Sequence, residues 1–170
     1  FVQAQAALNP LFTGTDIGIT WSAIVSTASV DAKDNAPVFA PVYRFDGTLI
    51  STNGPTIYSG SLNAPVSLTQ FGSSQSDSFV WTGSNQFGVE TPGPLGSAGP
   101  RVGLKDASNQ FWATFTASSN GTLHPLYALS GVLTVPGSPV PEPASLAMWG
   151  LGAVGLMFAR RKRQQKKLAA

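Results

Sequence analysis

Apolar and polar residues alternate along several short stretches of the chain, and this alternation predicts β-strands. The clearest example lies in residues 17–25, where every second position is apolar. Its apolar positions are Ile17, Ile19, Trp21, Ala23 and Val25. A period of two is typical of a strand with one buried face. We therefore predict a half-buried strand near the start of the chain.

A second pattern predicts a β-hairpin. Residues 41–45 and 48–51 are rich in apolar side chains and flank the dipeptide Asp46-Gly47. Asp-Gly between two apolar runs favours a tight turn, because glycine accepts the positive φ that such turns need. We expect two antiparallel strands joined at Asp46-Gly47.

Five further segments have the composition of short strands, namely residues 78–82, 101–105, 110–117, 126–129 and 132–135. In residues 110–117 the period of two would place Phe111 and Phe115 on one face and Trp112 on the other. Residues 91–100 are rich in Gly and Pro and predict a loop. Residues 57–62 fit either a short helical turn or a strand. The pattern as a whole predicts one β-rich domain over residues 7–135.

The end of the chain has a different pattern. Pro141, Glu142 and Pro143 precede residues 144–159, which are apolar apart from one serine, and residues 160–167 then hold six cations and no acid. As a helix the apolar run would rise about 24 Å, somewhat less than the ~30 Å hydrocarbon core of a bilayer. We predict a transmembrane helix over residues 144–159, followed by a basic cytoplasmic tail over residues 160–170. The rival interpretation is a buried helix of a soluble domain.

Charge and composition narrow the class of protein. Before residue 140 the chain has four cations and seven acids, a net charge of −3, so the overall pI of about 9.2 reflects the tail and gives no reason to expect nucleic-acid binding. Cysteine is absent, which excludes disulfides and thiolate metal sites. Ala4-Gln5-Ala6 has the small-x-small form of a signal-peptidase site. Residues 1–6 are therefore either the remnant of a signal peptide or an ordinary alanine-rich start.

The three ordered features of the tail resemble the PEP-CTERM sorting signal of Gram-negative, biofilm-forming bacteria. These features are V-P-E-P at residues 140–143, the glycine-containing apolar run, and the basic stop. The stop consists of Arg160, Arg161, Lys162 and Arg163. The resemblance implies recognition by an exosortase, which would cleave near Pro141-Glu142-Pro143 after the linker at residues 136–143. It also implies an exported protein that crosses the membrane once and then reaches the cell surface or the medium.

A second resemblance covers residues 20–135. The ordered blocks T-W-S-A-I-V-S-T at 20–27, P-V-Y-R-F-D-G-T-L-I at 41–50, Y-S-G-S-L at 58–62, F-V-W-T-G-S-N-Q-F-G at 79–88 and L-Y-A-L-S at 126–130 are similar to endostatin. This implies an α+β, mostly β fold of the C-type-lectin-like kind. The cysteines are missing, and the helix that precedes the first strand has no room in residues 1–18. Either the sequence is truncated or the domain is reduced.

Candidate catalytic and metal-binding residues are sparse. The only histidine, His124, would need a carboxylate partner to activate a serine, and the sequence marks none. We expect His124 to lie in a loop near the surface, and we predict neither an enzyme nor a cofactor. The acids in predicted turns suit turn formation better than a calcium loop, since no D-x-D-x-D-G pattern occurs.

Three tryptophans complete the candidates. Trp21, Trp81 and Trp112 could stack on sugars, but strand tryptophans more often pack in a core. We predict a structural or adhesive protein of the bacterial surface or extracellular matrix, with exosortase and the lipid bilayer as partners. The alternative is a lectin-like module that binds extracellular polysaccharide with or without calcium. A secreted hydrolase ranks third, because the sequence marks no nucleophile and base.

Overall fold

Short strands joined by long loops make up the computed structural model, which describes residues 1–10 and 19–133. Two helices, seven strands and two 3₁₀-helices are described in those ranges. In chain order they are α1 (Val2–Ala6), β1 (Trp21–Ala23), α2 (Ala32–Asn35), β2 (Val42–Tyr43), β3 (Leu49–Ser51), a 3₁₀-helix (Gly54–Tyr58), β4 (Phe79–Trp81), β5 (Arg101–Leu104), a 3₁₀-helix (Gln110–Trp112), β6 (Thr116–Ala117) and β7 (Ala128–Ser130). Strands outnumber helices, as the α+β, mostly β prediction requires.

The strands form three small antiparallel sheets: β1 with β7, β2 with β3, and β4–β5–β6 with β5 in the middle. The first sheet joins the two ends of the domain, because Trp21 in the first strand pairs with Ser130 in the last one. The segment before β7 links two sheets. Trp81 N donates to Pro125 O at 2.9 Å, and Ile24 N donates to Tyr127 O at 3.0 Å. Residues 125–127 therefore lie between β4 and the chain that follows β1.

The predicted hairpin is confirmed. Val42 pairs with Ser51 and Tyr43 with Leu49, and Arg44 N donates to Thr48 O at 2.9 Å across the turn. Gly47 has a φ of 82°, a value that residues with a Cβ rarely adopt.

One buried cluster forms the core. Its members are Ile24, Ala32, Ala36, Ile50, Ile57, Leu62, Val80, Trp112, Ala113 and Tyr127. They come from α2 and the residue that follows it, from β3 and β4, from the two 3₁₀-helices and from the loops between these elements. Apolar packing by the loops therefore holds the small sheets together. The backbone of Gly103 in β5 lies directly against Trp112 O, where any Cβ would overlap the carbonyl. A larger residue at position 103 would push the second 3₁₀-helix away from the sheet.

The predicted strand over residues 110–117 is wrong in its first half. Gln110–Trp112 is a 3₁₀-helix, because the Asn109 side chain accepts a hydrogen bond from Phe111 N at 3.1 Å and caps the turn. The consecutive residues Trp112 and Ala113 are both buried, at 2% and 1% exposure, which a strand with one buried face does not allow. Only Thr116–Ala117 pairs with β5.

Most of the other predicted strands are present but shorter. β1 occupies the middle of residues 17–25, and β4 and β5 fall within residues 78–82 and 101–105. β7 begins inside residues 126–129, whereas Val132 and Leu133 belong to no strand. Residues 91–100 form a loop, and the undecided segment 57–62 begins in the first 3₁₀-helix.

Residues Phe1–Leu133 form one compact unit, and Thr134–Ala170 are assigned to a second unit that lies wholly outside the described residues. Among the helices of the described part, none has the length and apolarity to cross a bilayer. The predicted transmembrane helix over residues 144–159 lies outside that part, as do the predicted linker and basic tail.

Candidate functional site

His124 lies at the centre of a polar cluster. His124 lies in a loop, as predicted, but its side chain is only 6% exposed and is therefore more buried than we expected. The imidazole packs between two rings of β4, with centroids 5.6 Å from Phe79 and 4.9 Å from Trp81, both edge to face. The next residue, Pro125, accepts the Trp81 backbone N–H. Ring contacts and backbone together fix the orientation of the imidazole.

Asp77 supplies the carboxylate that the sequence did not mark. Asp77 Oδ2 lies 2.6 Å from His124 Nδ1, and Asp77 Oδ1 accepts a hydrogen bond from Phe79 N at 2.9 Å. The hydrogen bond with His124, supported by the one from Phe79 N, holds the pKa of Asp77 below its usual value. The carboxylate is therefore charged at neutral pH and is held at the start of β4.

Ser118 completes the cluster on the other side of the imidazole. Its Oγ lies 3.0 Å from His124 Nε2, and its backbone N donates to Pro100 O at 2.9 Å. The serine directly follows β6, so the cluster joins the start of β4, the end of β6 and the segment before β7. Residues Asp77 and His124 are 47 positions apart in the chain.

The proton positions follow from the partners. An ionised carboxylate can only accept hydrogen bonds, so in the neutral imidazole the proton is on Nδ1 and points at Asp77. Nε2 is then an acceptor, and the Ser118 hydroxyl donates to it. An Asp–His–Ser chain with this tautomer can withdraw a proton from the serine hydroxyl as the oxygen attacks an electrophile.

An aromatic surface adjoins the cluster. Phe79 stacks with Phe115 at a centroid distance of 6.2 Å, and Phe115 meets Phe111 edge to face at 5.6 Å. Phe115 is 45% exposed and Phe111 is 39% exposed. Apolar rings thus extend from His124 to the solvent.

The predicted stacking tryptophans do not gather into a site. Trp81 and Trp112 are buried, and Trp112 packs against Tyr127 with centroids 5.8 Å apart, so neither ring offers a face to a sugar. Core packing, the interpretation that the sequence favoured, describes both. Trp21 is half-buried in β1 and lies 6.1 Å from the Phe45 ring.

Several of the acidic residues have side-chain partners within the fold. Asp46 forms a bidentate pair with Arg44, Asp31 Oδ1 accepts from Glu90 N at 2.7 Å, and Asp106 lies 2.5 Å from Lys105 Nζ. In residues 1–10 and 19–133 no group of three or more His, Asp or Glu side chains is placed to hold a metal ion.

The predicted sorting residues lie outside the described part of the chain. They are Pro141, Glu142, Pro143, Arg160, Arg161, Lys162 and Arg163. Sequence comparison bears on them directly, because the PEP-CTERM protein-sorting motif matches residues 139–163. No curated protein matches the chain. The chain thus carries a PEP-CTERM sorting motif, which implies an exported protein that exosortase processes at the membrane.

Sequence reasoning identified this motif because its residues are contiguous. It missed Asp77 and Ser118, which converge on His124 only through the pairing of β4, β5 and β6. Asp77 stands just before a predicted strand and Ser118 just after one, but other acids and serines of the chain have similar neighbours. No pattern in the sequence distinguishes Asp77 and Ser118 from them.

Proposed function

We propose that this protein is delivered to the bacterial surface or extracellular matrix, where its domain has a structural or adhesive role. The match of residues 139–163 to the PEP-CTERM sorting motif carries the proposal. Before processing, the chain crosses the membrane once through residues 144–159, with its C-terminus in the cytoplasm. After cleavage, residues 7–135 remain outside the cell.

The physical chemistry of the segment supports this route. An apolar helix of about 24 Å can match a ~30 Å hydrocarbon core if the bilayer thins locally and the first arginines extend toward the interface. Arg160, Arg161, Lys162 and Arg163 resist transfer through lipid and favour the cytoplasmic side. Pro141 and Pro143 disfavour helix and strand, so the backbone before the membrane suits an extended protease substrate.

For the domain itself we propose an endostatin-like, C-type-lectin-like ancestry. The support is the order of the five sequence blocks between residues 20 and 130. The short antiparallel strands and long loops of residues 19–133 are compatible with it. The adhesive contact would be with extracellular polysaccharide, and retention of the purified protein on such polymers measures it. An absence of retention would leave the structural role.

A reporter fusion tests the sorting route. Residues 136–170 are joined to an exported reporter enzyme in cells that contain exosortase. We expect the reporter to enter the membrane fraction and then to be cleaved, and we expect substitution of Pro141, Glu142 and Pro143 by alanine to stop cleavage. Pro136→Ala is the matched control, since this proline precedes the motif. A reporter that stays soluble and uncut would refute the proposal.

A further inference from the structure

We propose that Ser118, His124 and Asp77 form a nucleophilic site that hydrolyses esters with apolar acyl or aryl groups. This activity goes beyond the structural role proposed above and would act in the exported domain. It rests on the described geometry alone, so its test and the sorting test can fail independently.

The hydrogen bonds of the cluster run in a line from Asp77 through His124 to Ser118. Asp77 Oδ2 is 2.6 Å from Nδ1 of the imidazole, and Ser118 Oγ is 3.0 Å from Nε2. Both distances lie within the range that a general base and its nucleophile require. Each ring nitrogen has one partner, so the carboxylate fixes the tautomer in which Nε2 accepts the serine proton.

All three residues are also held by contacts other than those with each other. Phe79 N anchors the carboxylate of Asp77, and Pro100 O anchors the backbone of Ser118. The imidazole is confined between the Phe79 and Trp81 rings. Preorganisation of this kind lowers the cost of reaching a reactive geometry.

The surroundings of Ser118 indicate the kind of substrate that the site would accept. Ser118 is half-buried rather than enclosed, and the rings of Phe79, Phe115 and Phe111 run from the imidazole to the solvent. Such a surface contacts flat or branched apolar groups. An ester whose acyl or aryl part packs on Phe115 would bring its carbonyl carbon toward Ser118.

The reaction balances with water as the second reactant. Ser118 Oγ forms a bond to the carbonyl carbon as its proton passes to His124 Nε2, and the carbonyl electrons move onto oxygen. Collapse of the adduct breaks the ester C–O bond, and the leaving alcohol takes the proton from Nε2. Water then attacks the acyl-serine in the same way, with His124 as base, and releases a carboxylic acid. Asp77 remains ionised throughout and acts as a positioning residue.

Covalent labelling provides the test. The full 170-residue chain, purified in detergent from cells without exosortase, is treated with a fluorophosphonate, and the adduct is located by peptide mass spectrometry. This reagent reports a serine activated by a base and needs no knowledge of the natural ester. We expect an adduct on Ser118, its loss in Ser118→Ala, and unchanged labelling in Ser119→Ala, which alters the neighbouring exposed serine.

Two variants test the base and the positioning residue. His124→Gln should slow labelling of Ser118 by roughly 10²-fold, the lower range for loss of a general base. Asp77→Asn should also slow it and should shift the imidazole ¹⁵N resonances toward the other tautomer, a change that a purely structural role would not produce. If His124→Gln does not fold, Asp77→Asn and the wild-type adduct still decide the question.

The proposal is overturned if wild-type Ser118 carries no adduct. It is also overturned if a folded His124→Gln or Asp77→Asn variant labels as fast as the wild type. Hydrolysis of a nitrophenyl butyrate ester, absent in Ser118→Ala and present in Ser119→Ala, would add turnover to the covalent result.

Discussion

The sorting motif and the His124 cluster differ in how their residues are distributed along the chain. The motif is a contiguous stretch, residues 139–163, which exosortase recognises as a linear sequence. The cluster gathers Asp77, Ser118 and His124 from three separate elements of the folded domain. Unfolding of the domain should therefore destroy the cluster, whereas exosortase should still recognise the motif. Substitutions within the domain test this separation.

Trp112→Ala should have the largest effect on the domain. The ring is 2% exposed and packs against Tyr127, and truncation of such a side chain costs about 3–5 kcal/mol of unfolding free energy. Denaturant unfolding of the purified domain measures the loss. Phe111→Ala, at a 39% exposed neighbour in the same 3₁₀-helix, is the matched control and should cost less. The fraction of chains cleaved by exosortase should not change in either variant, and a parallel fall in cleavage would break the separation.

Removal of the central imidazole should have a smaller effect. In His124→Gln the Asp77 carboxylate loses its shortest hydrogen bond, and Phe79 and Trp81 lose a packed ring. The Asp77 side chain is 31% exposed, so water can replace part of the lost hydrogen bond, and we expect a fall of about 1 kcal/mol in unfolding free energy. A folded variant as stable as the wild type would show that the contacts of the His124 imidazole do not stabilise the domain.

The pH dependence of the unfolding free energy measures the contribution of the Asp77 carboxylate by itself. Its pKa is lower in the folded protein than in the unfolded chain, where Asp has a pKa of about 3.9. The stabilisation is therefore complete above about pH 4 and is lost as the pH falls through the lower folded-state value. Thermal unfolding between pH 6 and 2 should show this loss in the wild type and a smaller one in Asp77→Asn. Parallel pH curves would contradict the assignment.

The hairpin turn should give the smallest effect. The Arg44 guanidinium holds the pKa of Asp46 below its usual value, yet this carboxylate is exposed and its partner is two residues away. Exposed local ion pairs contribute little to stability. Asp46→Asn should lower the melting temperature less than Asp77→Asn does, and the reverse order would show that the turn matters more than the cluster.

The same contrast explains which features could be predicted from the sequence. Asp46-Gly47 specifies a turn locally, and the hairpin around it was predicted correctly. The 3₁₀-helix at Gln110–Trp112 was missed because the Asn109 cap and the burial of Trp112 against distant residues outweigh an alternating pattern. The burial of His124 was missed because Asp77 is 47 positions away.

Export with cleavage at the motif is the central claim, and the mass of the mature protein tests it most directly. The protein is recovered from the surface and medium of matched cells with and without exosortase, and the C-terminal peptide is sequenced by mass spectrometry. We predict a C-terminus at or next to Pro141, Glu142 or Pro143, found only when exosortase is present. Recovery of chains that retain residues 144–170 at the surface of both strains would contradict the account.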